Sequence, residues 1–373
     1  MKILHVGNMA NIPYMIAKQI RTTGIDAELL MDENPKPSAN PLYLDKSLDG
    51  KYPKWIKTFN KKKSWKKKVL QTMRNNSYDL IHSYVEFPIF AYVSNKPFVA
   101  HPQGSDIREM AFSNSFRGIL LRRAYRKAKA VIVSSPEQIF LLKKLKLANG
   151  ILIPISPEYP FFQPENISRK NFSDKFVIFH PANLDWKNKG NDILIKGFAK
   201  AIKQHPNMLL IIVDRGVDSS KTHSLVNSLN IKDKVKFING PLNYPDLRYY
   251  YNTSDVVADQ FHLGELGGIA RETLCCAKPL LTSFNQEKYK EIFHDLPPIS
   301  NASTINDVVE QLISLSNSSI IEKNAKLGRV WIEKNISPVV VSEKLLLLYQ
   351  GILSGENAKQ IRKKIGNQEI LDF

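Results

Sequence analysis

Residues 255–284, DVVADQFHLGELGGIARETLCCAKPLLTSF, read in succession as strand, glycine turn, helix and strand. Val256 and Val257 lead up to Asp259 and Gln260, and Gly264, Gly267 and Gly268 punctuate the turn. A helix opening near Gly268 carries Ile269, Ala270, Glu272, Leu274 and Cys276. Pro279 ends it, and Leu280–Leu281 begins the next strand. Glycines at a strand-to-helix turn let the backbone approach a ligand closely. The free N–H groups of a helix start favour an anion. One turn in, Glu272 sits among small and apolar neighbours, where a carboxylate is costly unless something pairs with it. A vicinal diol such as a ribose supplies two hydroxyl donors for its two oxygens. A phosphate at the helix start and a ribose on Glu272 together describe a nucleotide.

Working outward, the same alternation recurs on both sides. Before residue 155 the expected strands are Lys2–Val6, Ala27–Leu30, Leu80–His82, Phe98–His101, Ala130–Ser134 and Ile151–Pro154. Helices are expected at about 12–23, over the basic stretch 51–74, at roughly 114–129 and at 136–145. Residues 156–175, rich in Pro, Ser and Asn, read as a linker. The alternation resumes with strands at Phe176–His180, Met208–Val213 and Val235–Asn239 and helices at 192–204, 223–229 and 244–252. From Thr304 the tail is mostly helical, broken at Pro338, with a helix at about 341–353. Strands alternating with helices imply parallel sheets. The expected fold class is therefore α/β, with two doubly wound, Rossmann-like domains at 1–155 and 176–339 and a C-terminal segment, 340–373, returning to the first. Ligands of open parallel sheets sit beyond the carboxyl ends of the strands. The loops after Val6, Ala100, His180 and Gln260 all fall there.

The 373 residues carry a net charge of +18. Residues 1–150 hold 26 basic and 11 acidic residues, so the excess belongs to the first domain. Within it, KYPKWIKTFNKKKSWKKKVLQTMR (51–74) has ten basic residues and no acidic one, interleaved with Trp55, Ile56, Phe59, Trp65, Val69 and Leu70. Tryptophans among lysines suit the headgroup layer of an anionic membrane; a solvated face is the alternative. Arg117, Arg122, Arg123, Arg126, Lys127 and Lys129 form a second cluster. No nucleic-acid-binding motif accompanies the charge, which disfavours that partner. The apolar run before Gly7 is too short for a signal peptide, and no membrane span is read. Cys275 and Cys276 are neighbours on a helix, so neither a disulfide nor a metal pair is expected. A cytoplasmic location follows, with peripheral contact to the inner face of the membrane.

The 255–284 segment resembles the signature of glycosyltransferase family 4, whose fold is GT-B. That signature has a Glu-Gly-Phe-Gly turn, a second Glu eight residues after the first, and a small-Cys-Gly-Lys-Pro ending. Gly267 matches the second glycine, Glu272 the second Glu, and Cys276–Ala277–Lys278–Pro279 the ending. In strict register Gly264 stands where the first Glu is usual, with Glu265 one place later. Some similar members share the Asp259–Gln260 pair and the glycine. Which group holds the donor sugar's hydroxyls is thereby left open. Lys189–Gly190 in HPANLDWKNKG (180–190) matches the family's Lys-Gly pair that holds the donor diphosphate. The arginine usual a few residues earlier is absent in register, and Lys187 is the nearest cation.

The resemblance implies a retaining transfer from a nucleoside-diphosphate sugar. Glu272 would hold the ribose, and Gly267, Gly268 and Lys189 the diphosphate. Asp259, Gln260, Gly264, Glu265 and Lys187 fall on the donor side. His262 is either a packing residue or a neighbour of the sugar. The loop HPQGSD (101–106) is similar to a His-Gly-Ser-Asp loop facing the acceptor, with Gln103 in the histidine slot. His101 either contacts the transferred sugar or acceptor, a catalytic reading, or is a structural strand-end histidine. Asp106 either caps the following helix or meets the acceptor. Gly7–Asn8 is a tight turn or an acceptor-side element, and Tyr84 and Glu86 would line the acceptor side. No metal and no cofactor are expected. The acceptor would be a glycan or lipid-linked molecule at an anionic membrane surface. Two rival readings are a nucleotide-sugar epimerase of the same fold, and a basic membrane- or nucleic-acid-binding protein with a degenerate donor site.

Overall fold

A computed structural model describes residues 1–62, 64–159, 161–169, 172 and 174–366. Lys63 of the basic stretch, four positions of the 156–175 segment and residues 367–373 of the C-terminal segment lie outside the described residues. The chain divides into two compact units, Met1–Ser156 with Pro338–Phe373, and Pro157–Ser337.

The first unit is built on a sheet of β1 (Lys2–Val6), β2 (Asp26–Asp32), β3 (Ile56–Phe59), β4 (Leu80–Tyr84), β5 (Phe98–His101), β6 (Ala130–Val133) and β7 (Gly150–Leu152), in the order β3-β2-β1-β4-β5-β6-β7. Every pair is parallel. The central strands are buried on both faces, and within their apolar run His5, His82, Ser83 and His101 are buried polar residues. The C-terminal helix Pro338–Leu353 joins this core through Val341, Leu345, Leu348, Tyr349 and Ile352. Gln19 Nε2 donates to the Pro338 carbonyl (2.6 Å) and to Ser342 Oγ (2.8 Å). Farther on, Arg362 donates to the carbonyls of Ala148 and Gly150.

The basic stretch 51–74 departs from the single expected helix. It contains β3 and then a helix at Trp65–Met73. Lysines hid the strand, because they suit an exposed sheet edge, where they deter pairing with another chain. Lys57 bridges to Glu28 at 2.6 Å. The apolar side chains of the stretch point into the unit: Ile56, Phe59 and Val69 are buried. Trp55 stacks on Tyr14, and Trp65 packs on Phe59, Phe87 and Phe90. The tryptophans are thus half-buried against neighbouring rings, and lysines make up most of the exposed positions of the stretch.

The second unit has β8 (Phe176–His180), β9 (Met208–Asp214), β10 (Val235–Asn239), β11 (Val256–Ala258), β12 (Leu280–Thr282) and β13 (Ile299–Asn301), ordered β10-β9-β8-β11-β12-β13 and parallel throughout. The 156–175 segment, read as a linker from composition, packs within this unit from Pro157 on. Phe162 is fully buried against Tyr244 and Tyr251, and Arg169 pairs with Asp255 at 2.8 Å. The stretch Ser318–Leu353 is long and apolar enough to cross a membrane by length and composition. It is folded as two helices, Ser318–Asn335 and Pro338–Leu353, one in each unit.

Candidate active site

In the second unit β8 and β11 lie side by side, and the chain leaves them toward opposite sheet edges. Such a switch point opens a crevice beyond the strand ends. Two loops line it, one after His180 and one after Ala258. They are stitched together: Phe261 N–H donates to the Lys189 carbonyl (2.7 Å), and His262 Nδ1 meets the Lys187 carbonyl (3.1 Å). Gly190 has φ +65°, and a Cβ there would lie 3.0 Å from the His262 ring, so the junction needs glycine.

Glu272 stands one turn into the helix Gly268–Cys275. Its Oε2 accepts from the buried Tyr251 hydroxyl at 2.8 Å, and its Oε1 faces the start of the helix, 3.9 Å from the Cβ position of Gly268. Burial pushes its carboxyl up to about 7, against the pull of the Tyr251 hydrogen bond, Arg271 and Arg215. Asp259, at the end of β11, is also buried, and its carboxyl is raised for the same reason. Lys189 is half-buried, makes no ion pair among the described residues, and acts electrostatically on Asp259 and His180. The helix start has no side-chain cap at Gly267, so its free N–H groups face the crevice loops. Free helix N–H groups, an unpaired lysine and a carboxyl one turn away suit a diphosphate joined to a diol.

Several expected donor-side residues serve the loop instead. Gln260 is buried and spends its side chain on backbone: Oε1 accepts from His262 and Leu263, and Nε2 donates to Ser283 and Glu265 carbonyls. Its expected contact with the donor is therefore withdrawn. Gly264 has φ +69°, and its Cβ position lies 3.3 Å from Asn285 Cβ, which makes it a turn residue. Glu265 acts on Tyr289. Lys187 is exposed, and His262 stays exposed beside it. His180 is locked by Asn191 and the Ala258 carbonyl, and burial pushes it down to about 4.

Three side chains escaped the sequence reading: Tyr251, Arg271 and Arg215. Arg215 follows β9, donates to the Pro181 carbonyl at 3.3 Å and acts on Glu272. Its neighbour Gly216 carried the available signal. At φ +128° a Cβ there would lie 2.3 Å from the Leu184 carbonyl oxygen, so an Arg-Gly pair after a strand marks a loop forced against the site.

The first unit has its own crevice at the β1–β4 switch point. A cavity of about 310 Å³ is lined by Gly7, Asn8, Asp32, Phe59, Glu86 and Phe87, among others. It gathers three of the expected acceptor-side residues. Glu86 follows Val85, a β-branched residue at φ +55°, a conformation that costs energy and concentrates at functional positions. Asn8 is engaged by Ala39, Asn11 and Tyr14 and so shapes the wall. Gly7 admits Phe87, which would lie 2.7 Å from a Cβ.

For His101 and Asp106 the hydrogen bonds favour the structural alternatives left open by the sequence. His101 is 2% exposed, with Nδ1 shared with His82 and Nε2 with Ser134, both at 3.1 Å. It stacks with His82 and Tyr84, and burial holds it down at about 3. Both nitrogens are used, so the catalytic reading is withdrawn. Tyr84 is buried in the same stack and shares a 2.8 Å hydrogen bond with His5 Nδ1. Asp106 accepts from the Gln103 and Gly104 N–H groups and from Tyr125, which makes it a loop cap.

Residues 162–330, most of the second unit, match the family model of glycosyl transferases group 1. No curated protein matches the chain significantly. Among solved structures, HepE of Anabaena, in complex with UDP and glucose, is similar at TM-score 0.75 and 16% identity over 94% of this chain and 100% of that one. Sucrose-phosphate synthase of Thermosynechococcus elongatus is similar at 0.71 and 16% over 95% and 100%. A putative UDP-N-acetylglucosamine 2-epimerase of Listeria monocytogenes follows at 0.61 and 11% over 96% and 98%. The second unit therefore carries the domain of glycosyl transferases group 1, and the chain has the GT-B fold of the solved glycosyltransferases it resembles.

Proposed function

We propose that the protein transfers a sugar, with retained anomeric configuration and without a metal, from a nucleoside-diphosphate sugar to a glycan or lipid-linked acceptor at a membrane surface. The observation that carries the reading is Glu272, a carboxyl held by Tyr251 one turn into an uncapped helix start. The ribose hydroxyls meet Glu272, and the diphosphate meets the helix N–H groups, Lys189 and Arg215. These cations neutralise the leaving diphosphate, which is the service a metal performs elsewhere. In this reading the leaving phosphate takes the acceptor's proton and the transfer retains configuration directly. The neighbouring HepE complexes with UDP, and with UDP-glucose, make uridine the first nucleotide to try.

The acceptor belongs in the first unit's cavity beside Glu86. The basic residues Arg117, Arg123, Arg126 and Lys127 are exposed and support contact with anionic lipid. Thermal shift with UDP-, GDP- and ADP-sugars tests the reading, with Glu272→Ala alongside. A stabilising donor whose effect is lost in the variant supports it; no shift with any donor refutes it. The likeness to a putative epimerase keeps one rival, since Asp259 and Glu272 are two raised carboxyls in one site. Conversion of the donor sugar with no acceptor present would favour that rival.

A further inference from the structure

Asp259 is 1% exposed, and neither of its carboxyl oxygens has a hydrogen-bond partner. Buried polar groups are almost always paired, so an orphaned carboxyl at a site needs an explanation. Lys189 and Arg271 act on it only at a distance, without an ion pair. Arg271 turns instead to the Leu266 carbonyl, 2.9 Å away. Asp259 Oδ2 lies 3.4 Å from the Cβ position of Gly267, at the uncapped start of the helix. The carboxyl therefore sits against the same helix start that Glu272 flanks one turn on.

The missing partner must donate hydrogen bonds. A carboxylate accepts only, and so does a phosphate, so the diphosphate is the wrong chemistry for Asp259. A nucleoside-diphosphate sugar carries hydroxyls at both ends of its diphosphate. Two carboxyls, Asp259 and Glu272, flank the helix start, while Glu265 acts on Tyr289. Glu272 takes the ribose, which leaves the other hydroxyl-bearing end for Asp259. Position 264 holds no competitor, because Gly264 has a left-handed backbone and its Cβ position faces Asn285.

We propose that Asp259 holds the transferred sugar of the donor through that sugar's hydroxyls. The assignment rests on the proposed function and adds to it the residue that reads the sugar. Binding to the full chain is measured by calorimetry for UDP and for UDP-glucose, UDP-galactose and UDP-N-acetylglucosamine. Wild type is compared with Asp259→Asn, which keeps the shape without the charge, and with Asp259→Ala. The expected result is UDP affinity within about twofold of wild type. Affinity for the best wild-type UDP-sugar should fall tenfold or more. Equal loss of UDP and UDP-sugar would make Asp259 a support of the helix start and overturn the proposal. Unchanged binding of both would overturn it as well. Wild type that binds none of the four, and no GDP- or ADP-sugar either, would instead refute the proposed function, and this assignment with it.

Discussion

Donor affinity should depend on pH through Glu272. Its carboxyl titrates at about 7 because burial opposes the charged form more than Tyr251, Arg271 and Arg215 favour it, with Asp259 adding to the rise. A ribose diol presents two O–H donors, which the anion accepts and the acid receives less well. At pH 6 a group titrating at about 7 is about nine-tenths protonated. Expelling that proton costs about 1.4 kcal/mol, or about tenfold in affinity. At pH 8 the cost is near zero. Calorimetry with UDP-glucose between pH 6 and 8.5 reads this directly. UDP itself is a poor probe, because its terminal phosphate titrates near pH 6. Glu272→Gln should bind more weakly at pH 8 and show no slope. A flat profile in wild type, or the same slope in Glu272→Gln, would refute the reasoning. Folding stability carries the opposite sign. The folded group holds its proton above the unfolded value of 4.5, so stability contributed by Glu272 falls as pH rises from there to about 7 and is constant above.

Tyr251→Phe removes the Tyr251 hydrogen bond to Glu272 and should move the midpoint of that pH profile upward, with about 1 kcal/mol lost in stability by denaturant titration. Gly216→Ala forces a Cβ against the Leu184 backbone at φ +128°. It should lower the melting temperature and abolish donor binding together. The buried histidines His5 and His101 are held down at about 3, so they remain neutral in the folded state. Their contribution is present above the unfolded value of 6.5 and is lost as pH falls toward about 3, at about 1.4 kcal/mol per unit for each. Thermal melts between pH 7 and 4.5 should therefore slope steeply, and His101→Gln should flatten them.

The two sheets and the helix at 268–275 were legible because each is a local pattern. Apolar runs of strand length, a glycine turn and a proline stop lie within thirty residues of one another. The strand Ile56–Phe59 was illegible for the converse reason: it is an edge, and its exposed lysines imitate a solvated helix. In the same stretch Trp55 and Trp65 are half-buried against neighbouring rings, which composition alone does not reveal.

The sequence by itself determined the parallel α/β class, the glycine-opened helix and Glu272 one turn inside it, because periodicity and turn chemistry act over a few residues. Tertiary structure decided the rest. It spent Gln260, His101 and Asp106 on hydrogen bonds within the protein, brought Tyr251 and Arg215 to Glu272, and left Asp259 buried without a partner. Those outcomes depend on which loops meet at a sheet's switch point, and no local pattern encodes that meeting.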